Sequence, residues 1–233
     1  MNTPEWTIGF DADDTLWHNE RLFRLTQARF AALLADHAAP DHLAERLHAS
    51  ERRNLGRYGY GVKGFVLSMI ETAIDVTDAR VPARVIAELI AAGQDMLAHP
   101  IELLPHAQAT VTALAGQARL VLITKGDLLD QERKLAQSGL GDHFDAVEIV
   151  SDKTAATYAR IFGGRGAAMM VGNSLRSDVI PALAAGAWGV HVPHETTWAY
   201  EMDNPPQDHP RFHALSSLAD LPDLVAMIAA VPP

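Results

Sequence analysis

The amino-acid sequence predicts an α/β protein: a parallel sheet covered by helices on both faces, with an all-helical module inserted after the first strand. Three observations predict it. Short apolar runs of strand length recur, and each stops at polar or acidic residues. The later runs are each followed by a helical pattern, most of them closing on glycine. The stretch from 19 to 99 holds several helical patterns and no clear strand. Strands alternating with helices of this length imply a parallel sheet buried on both sides.

The first run, Trp6–Phe10, stops at Asp11, Asp13 and Asp14. In the inserted stretch, Leu22, Leu25, Phe30, Leu33 and Leu34 make one apolar face. Val85, Ile86, Leu89, Ile90 and Leu97 make another, opened by Pro82. Between them Asn54–Phe65, rich in glycine, tyrosine and cations, reads as a loop, and a helical run continues to Ile74. Pro100 and Pro105 mark the return, so the expected division is a sheet domain over 1–18 and 100–233 and a helical module over 19–99. The second run, Arg119–Thr124, leads to Gly126 and an Asp127 N-cap candidate, then to Leu128, Leu129 and Leu135, with Gly139 as the stop. Ala146–Val150 is followed by a helical pattern through Ala155, Ala159 and Phe162, stopping at Gly163. Ala168–Val171 leads to a pattern through Val179, Leu183 and Ala184, stopping at Gly186. A last run, Trp188–Val192, precedes a closing helix over Leu221–Ile228 with Pro222 in its first turn.

The chain has 233 residues, which at ~150 residues per domain is one large domain or one with a small partner. A composition 48% hydrophobic and 21% charged is that of a soluble globular protein and excludes a disordered or collagen-like chain. No cysteine is present, which removes disulfides, thiolate metal sites and cysteine nucleophiles together; a cytoplasmic location is the expectation. A formal charge of −10 argues against sequence-blind binding to nucleic acid or anionic lipid. The first residues carry no cationic segment followed by an apolar one, so no secretory signal is expected, and no apolar run is long enough to span a membrane.

Ligands of parallel α/β sheets sit outside the carboxyl ends of the strands, near the switch in strand order. Those ends carry Asp11 and Asp13 after the first run, Thr124 at the end of the second, Lys153 after the third, and Asn173 to Asp178 after the fourth. In extended geometry Asp11 and Asp13 would share a face, and two close carboxylates need a shared proton or a hard cation. Asp178 would complete an oxygen shell suited to Mg²⁺. Lys153 and Thr124 would bind phosphoryl oxygens, helped by backbone N–H groups at Gly126 and at the start of the following helix. The combination describes phosphoryl transfer. Asp14 alone reads as a solvated turn or a helix cap. His18 reads as structural, and the His191, His194, Glu195 group, interrupted by Pro193, reads as a loop without metal. In the helical module Arg53, Asn54, Arg57, Tyr58, Tyr60 and Lys63 combine rings and cations that would suit an anionic ligand. No Gly-x-Gly-x-x-Gly follows the first strand, which disfavours a dinucleotide-binding oxidoreductase.

These residues resemble the motifs of the haloacid dehalogenase superfamily. FDADDTLW (Phe10–Trp17) resembles its first motif and LITKG (Leu122–Gly126) its second; Lys153 resembles the third-motif lysine and GNSLRSD (Gly172–Asp178) the acidic fourth motif. The inserted helices resemble the helical cap of one subgroup. The resemblance implies a Rossmann-like sheet core with an inserted helical cap, hinged near His18–Glu20 and His99–Ile101. It implies that Asp11 attacks phosphorus to form an aspartyl phosphate, and that Asp13 protonates the leaving alcohol and later deprotonates water. Thr124 and Lys153 would hold the phosphoryl oxygens, with Gly126 and Lys125 beside them. Asp11, the backbone carbonyl of Asp13 and Asp178 would coordinate Mg²⁺, with Asn173 standing where many members have aspartate, so weaker Mg²⁺ binding is expected. An acid at position 13 separates the superfamily's phosphatases from its dehalogenases. The implied activity is therefore Mg²⁺-dependent hydrolysis of a small phosphomonoester. The alternatives are a phospho-accepting signalling module, a catalytically degenerate binder of a phosphorylated ligand and, less favoured, a dehalogenase. Lys125 stands where Asn or Asp is common, and no Lys-Pro pair occurs at Lys153.

Overall fold

A computed structural model describes residues 6–164 and 167–230. Residues 1–5, on which the secretory-signal expectation partly rests, lie outside the described residues. Six strands form one sheet: β1 (Trp6–Phe10), β2 (Arg119–Lys125), β3 (Ala146–Val150), β4 (Ala167–Gly172), β5 (Trp188–His191) and β6 (Phe212–Ala214), in the order β3-β2-β1-β4-β5-β6. β1 pairs in parallel with β2 and with β4, and β4–β5 and β5–β6 are parallel as well. This is a Rossmann-like α/β sheet. Strand order reverses at β1: the chain builds outward through β2 and β3, then crosses back to β4. The crevice this leaves lies at the carboxyl ends of β1 and β4.

Helices α1 (Glu20–Leu33), α2 (Pro40–Tyr58), α3 (Val62–Val76) and α4 (Ala83–Ala98) come between β1 and β2, followed by α5 (Ala107–Leu114). Helices α6 (Leu128–Ser138), α7 (Ala155–Phe162), α8 (Ile180–Ala184) and α9 (Leu221–Ala229) follow. Alternation along the strands assigns the two faces. Ile8, Phe10, Leu120, Leu122, Met169 and Val171 pack with α5 and α9 through Val111, Leu114, Leu221 and Leu224. Val121, Ile123 and Met170 face the other way, onto Tyr158, Ile161 and Phe162 of α7 and Ala182 of α8. The period of two in the strand explains why one seven-residue run serves two cores.

The chain divides into two compact units. One holds residues up to Glu20, Ile101–Thr124 and Glu132 onward; the other holds Arg21–Pro100 together with Lys125–Gln131. The helical unit thus starts and ends slightly later than the 19–99 expected from the sequence, and it takes in the segment just after β2. Its core is built from Phe30, Leu43, Leu47, Phe65, Met69, Ala73, Val85, Leu89 and Met96, at the three- and four-residue spacings of amphipathic helices.

Three details correct the sequence reading. The loop expected over Asn54–Phe65 shrinks to Gly59–Gly61, because α2 runs on to Tyr58 and α3 starts at Val62. Gly59 and Gly61 have φ of 73° and 111°, values that suit glycine and end one helix before the next begins. The pattern expected to form one helix before Gly186 is split into a wide π-turn, Leu175–Val179, and the short α8. The three-residue β6 is too short to show alternation in sequence. No helix among the described residues is long and apolar enough to cross a membrane.

Leu89 is fully buried in the helical core. Leu89→Ala should lower the stability of that unit by about 2–5 kcal/mol, read from urea unfolding followed by circular dichroism. A loss under about 1 kcal/mol would mean that this core is loosely packed.

Candidate active site

The ends of three strands meet at one buried ammonium. Lys153 Nζ lies 2.5 Å from Asp11 Oδ1 and 2.7 Å from Asp178 Oδ1. All three residues are buried, at 5%, 7% and 1% exposure. Asp11 follows β1 directly, and its N–H donates to the Val171 carbonyl of β4 at 2.9 Å, which fixes it at the crevice. Its second oxygen accepts from Thr15 Oγ1 at 2.8 Å, and Thr15 Oγ1 in turn accepts the Asn173 N–H at 3.1 Å. Lys153 sits one residue before the Thr154 N-cap of α7, and Thr154 Oγ1 accepts the Thr157 N–H at 3.2 Å. That cap orients the lysine without the Lys-Pro pair that the sequence lacks.

Two carboxylates share one cation in a desolvated space. Burial and the neighbouring Asp178 charge push Asp11 up to about 7, against the pull of Lys153. Burial alone would push Lys153 down, but the two carboxylates outweigh it and hold its pKa above the ordinary lysine value.

Asp178 is set by the π-turn. Ser174 caps it, accepting the Ser177 N–H at 2.9 Å, and the Ser174 N–H donates to Asp178 Oδ2 at 3.0 Å. Tyr158 Oη donates to the Ser177 carbonyl at 2.9 Å. Gly172, at the end of β4, has no room for a side chain: a Cβ there would lie 2.2 Å from Asp178 Oδ2. A glycine at this strand end is what lets the carboxylate reach the crevice.

Asp13 is held differently. Its carboxylate accepts from Lys134 Nζ at 3.0 and 3.1 Å and from Trp17 Nε1 at 2.7 Å, and Lys134 Nζ also donates to Asn19 Oδ1 at 2.8 Å. The expectation of one shared face assumed extended backbone beyond Phe10. The strand ends there. Lys134 was not singled out from the sequence. It is one of two adjacent cations in α6, and nothing in the spacing says which is buried.

Asp14 is a helix cap, as one of its two readings held, but a buried one rather than a solvated one. Its carboxylate accepts the N–H groups of Asn19 and Glu20, both at 2.9 Å, at the start of α1. Burial, with Asp13 nearby, pushes its pKa up to about 6, although the Asn19 and Glu20 hydrogen bonds and His194 favour the charged form. His194 Nδ1 lies 3.6 Å from Asp14 and 2.9 Å from the Thr196 carbonyl oxygen, and its ring meets that of His18 edge-on. The His191 ring reaches the Asn173 carbonyl oxygen at 3.0 Å, and burial lowers its pKa.

Thr124 is buried in β2, two residues beyond the Leu122 that registers with Phe10, and so at the same sheet edge as Asp11. Within the helical unit, Lys125 Nζ lies 3.9 Å over the Tyr60 ring. Lys63 Nζ lies 3.3 Å from Asp127 Oδ1. Gly126, at φ 128°, makes the turn between Lys125 and Asp127. Arg53 and Arg57 are exposed on α2, where Tyr58 Oη donates to Glu71 Oε1 at 3.1 Å. Asn54 does not join this group. Its buried amide donates to Glu71 Oε2 at 2.8 Å and approaches Ser68 Oγ at 3.1 Å, so it serves the interior of the helical unit and not a ligand.

The strand order and the buried charge cluster at its switch point define a Rossmann-like α/β protein with its working residues at the carboxyl ends of the strands. A sequence model of the haloacid dehalogenase-like hydrolases matches residues 7–186, and the chain belongs to that family of hydrolases. A haloacid dehalogenase-like family hydrolase from Xanthomonas campestris is similar over 97% of this chain and 92% of its own, with 42% identity and a TM-score of 0.85. Two more distant structures share the fold. A predicted phosphoglycolate phosphatase from Haemophilus somnus has 16% identity and a TM-score of 0.62, over 94% of this chain and 97% of its own. L-2-haloacid dehalogenase from Xanthobacter autotrophicus has 17% identity and a TM-score of 0.64, over 94% and 98%. No curated protein matches the chain.

Gly172→Ala should displace the Asp178 carboxylate from Lys153 and destabilise the protein by about 1–3 kcal/mol, visible in a crystal structure and in urea unfolding. An unmoved carboxylate would show that the strand end yields instead. The raised Asp11 pKa gives a second expectation. The folded, metal-free protein keeps a proton on Asp11 up to about pH 7, whereas the unfolded chain loses it near the ordinary aspartate value of 3.8. The folded state therefore binds more protons between these values, and its stability falls as pH rises through them. Measured in chelator, wild type should lose stability relative to Asp11→Asn between pH 4 and 7. A constant difference would show that Asp11 titrates normally.

Proposed function

We propose that the protein is a Mg²⁺-dependent phosphatase acting on a small phosphomonoester through an aspartyl phosphate on Asp11. The observation that carries the reading is the convergence of Asp11 and Asp178 on a single cation, Lys153 Nζ, at the crevice of the sheet. Two oxygen donors already aimed at one positive group suit a hard cation. Among the described residues no third carboxylate or imidazole completes a metal-binding group there. That agrees with Mg²⁺, which commonly takes one or two carboxylates and fills its remaining positions with water and phosphate oxygens. Asp11, Asp178 and the Asp13 backbone carbonyl would hold it, with Asn173 as a neutral neighbour. When bound, the ion supplies positive charge against the phosphoryl oxygens.

The chain's own groups account for the rest. An Asp11 oxygen attacks phosphorus, the bond to the leaving oxygen breaks, and Asp13 gives that oxygen its proton. Water then attacks the aspartyl phosphate, Asp13 takes the water's proton, and phosphate leaves with Asp11 regenerated. Lys153 and Thr124 hold the phosphoryl oxygens, and Lys153, already charged and desolvated, needs little reorganisation to do so. The acid at position 13 supports phosphatase over dehalogenase, since ester cleavage needs a proton for the leaving alcohol.

Purified protein should release phosphate from an aryl phosphate and from members of a panel of phosphorylated metabolites when Mg²⁺ is present, and not after chelation. Asp11→Asn should abolish turnover. Asp13→Asn should lower kcat by about 10²–10⁴. Halide release from a 2-haloacid with no phosphate release would overturn the reading, as would a long-lived phosphoprotein without turnover.

A further inference from the structure

Between β5 and β6 the chain makes a long excursion through residues 192–211, with a 3₁₀ turn at Ala199–Glu201. Excursions of this length in compact domains usually carry a function. This one reaches the π-turn that carries Asp178. Glu201 Oε2 accepts the hydroxyl of Ser174 at 2.6 Å and also that of Ser177. Ser174 Oγ lies 3.2 Å from the Glu201 carbonyl oxygen as well. Beside them the Arg176 guanidinium lies 4.2 Å over the Tyr200 ring. One carboxylate thus holds two buried hydroxyls, one at the N-cap of the turn and one in its middle. Ser174 passes the constraint on directly, because its N–H donates to Asp178 Oδ2.

We propose that Glu201 is a positioning residue that sets the Asp178 carboxylate for the divalent ion by clamping Ser174 and Ser177. The proposal rests on the reading of Asp178 as a Mg²⁺ ligand. A π-turn is a rare backbone form, found mostly as a single turn and frequently at functional sites. Tyr158 holds one side of this turn through the Ser177 carbonyl, and Glu201 holds the side chains of the other. Without the carboxylate, the two hydroxyls lose the oxygen they share, Ser174 keeps only the longer contact to the Glu201 carbonyl, the turn shifts, and the oxygen facing Lys153 swings away. Glu201 touches neither the substrate nor the reacting atoms; it acts through Ser174 and Ser177.

The test is a calorimetric titration of the metal-free, full-length protein with Mg²⁺, alongside the Mg²⁺ dependence of phosphate release. Wild type should bind and Asp178→Asn should not. Glu201→Ala should weaken Mg²⁺ binding about 10–100-fold. Its kcat should recover at saturating Mg²⁺, with KM for the phosphomonoester unchanged. Glu201→Gln keeps an acceptor and should recover part of the affinity. Ser177→Ala alone should weaken binding in the same direction, and it serves if Glu201→Ala fails to fold. Added to Glu201→Ala it should cost nothing more. Additive losses would show that Glu201 acts as a distant charge and would overturn the proposal. Wild-type affinity in Glu201→Ala, with binding intact in wild type, would overturn the proposal and leave the phosphatase reading standing. A wild type that binds no Mg²⁺ would overturn both.

Discussion

An ammonium removed from water has to be paired, and Lys153 is paired twice. That requirement organises the working end of the sheet. Asp11 comes from the end of β1, Asp178 from the turn after β4, and Lys153 from the segment after β3, which lies at the far edge of the order β3-β2-β1-β4-β5-β6. The packing of the sheet and its helices brings three charges to one point. The ledger is not neutral: two carboxylates face one cation, and burial, followed by the Asp178 charge, pushes Asp11 up to about 7 against the pull of Lys153. A second positive group would be welcome there, which is the electrostatic argument for a divalent ion.

The surrounding residues are explained by that cluster. Gly172 is a glycine because Asp178 fills the space of its side chain. Thr15 ties Asp11 to the Asn173 backbone, so the first and fourth strand ends are fastened to each other as well as to the lysine. Thr154 caps α7 and leaves its neighbour Lys153 facing inward. None of these side chains carries charge, yet each fixes an atom that does. Rigidity of this kind favours electrostatic work, because dipoles and charges held in place do not have to reorganise as a reaction proceeds.

The sheet was legible because buried parallel strands are written as short apolar runs, as β1, β2 and β4 are. The charged residues at their ends were legible because polar residues abruptly follow those runs. What stayed hidden depends on tertiary contacts. Nothing in the spacing around Lys134 marks it as buried, and Asn54 looks like a loop residue until α2 is seen to continue past it. Asp13 reads as a partner of Asp11 because strand alternation is the natural extrapolation; β1 ends at Phe10, and the Asp13 carboxylate is taken up by Lys134 and Trp17. Glu201 lies in a polar stretch without periodicity, and its tie to Ser174 and Ser177 exists only once the long excursion has folded back.

The two aspartates of the first motif are separated in environment although they are two residues apart in sequence. Asp11 is desolvated and bound to Lys153, while the Asp13 side chain keeps 21% exposure and is bound to Lys134. A nucleophile gains from desolvation and from a fixed position; a group that passes protons gains from contact with water. Similar folds serve proteins named for dehalogenation and for phosphate hydrolysis, so the fold does not choose between these chemistries. The choice lies in whether a second carboxyl group stands ready to move protons. Each carboxylate here has its own lysine, drawn from a different element. Under the phosphatase reading proposed above, that arrangement would give the pair the division of labour that ester hydrolysis requires, and a displacement of halide would leave the second member idle.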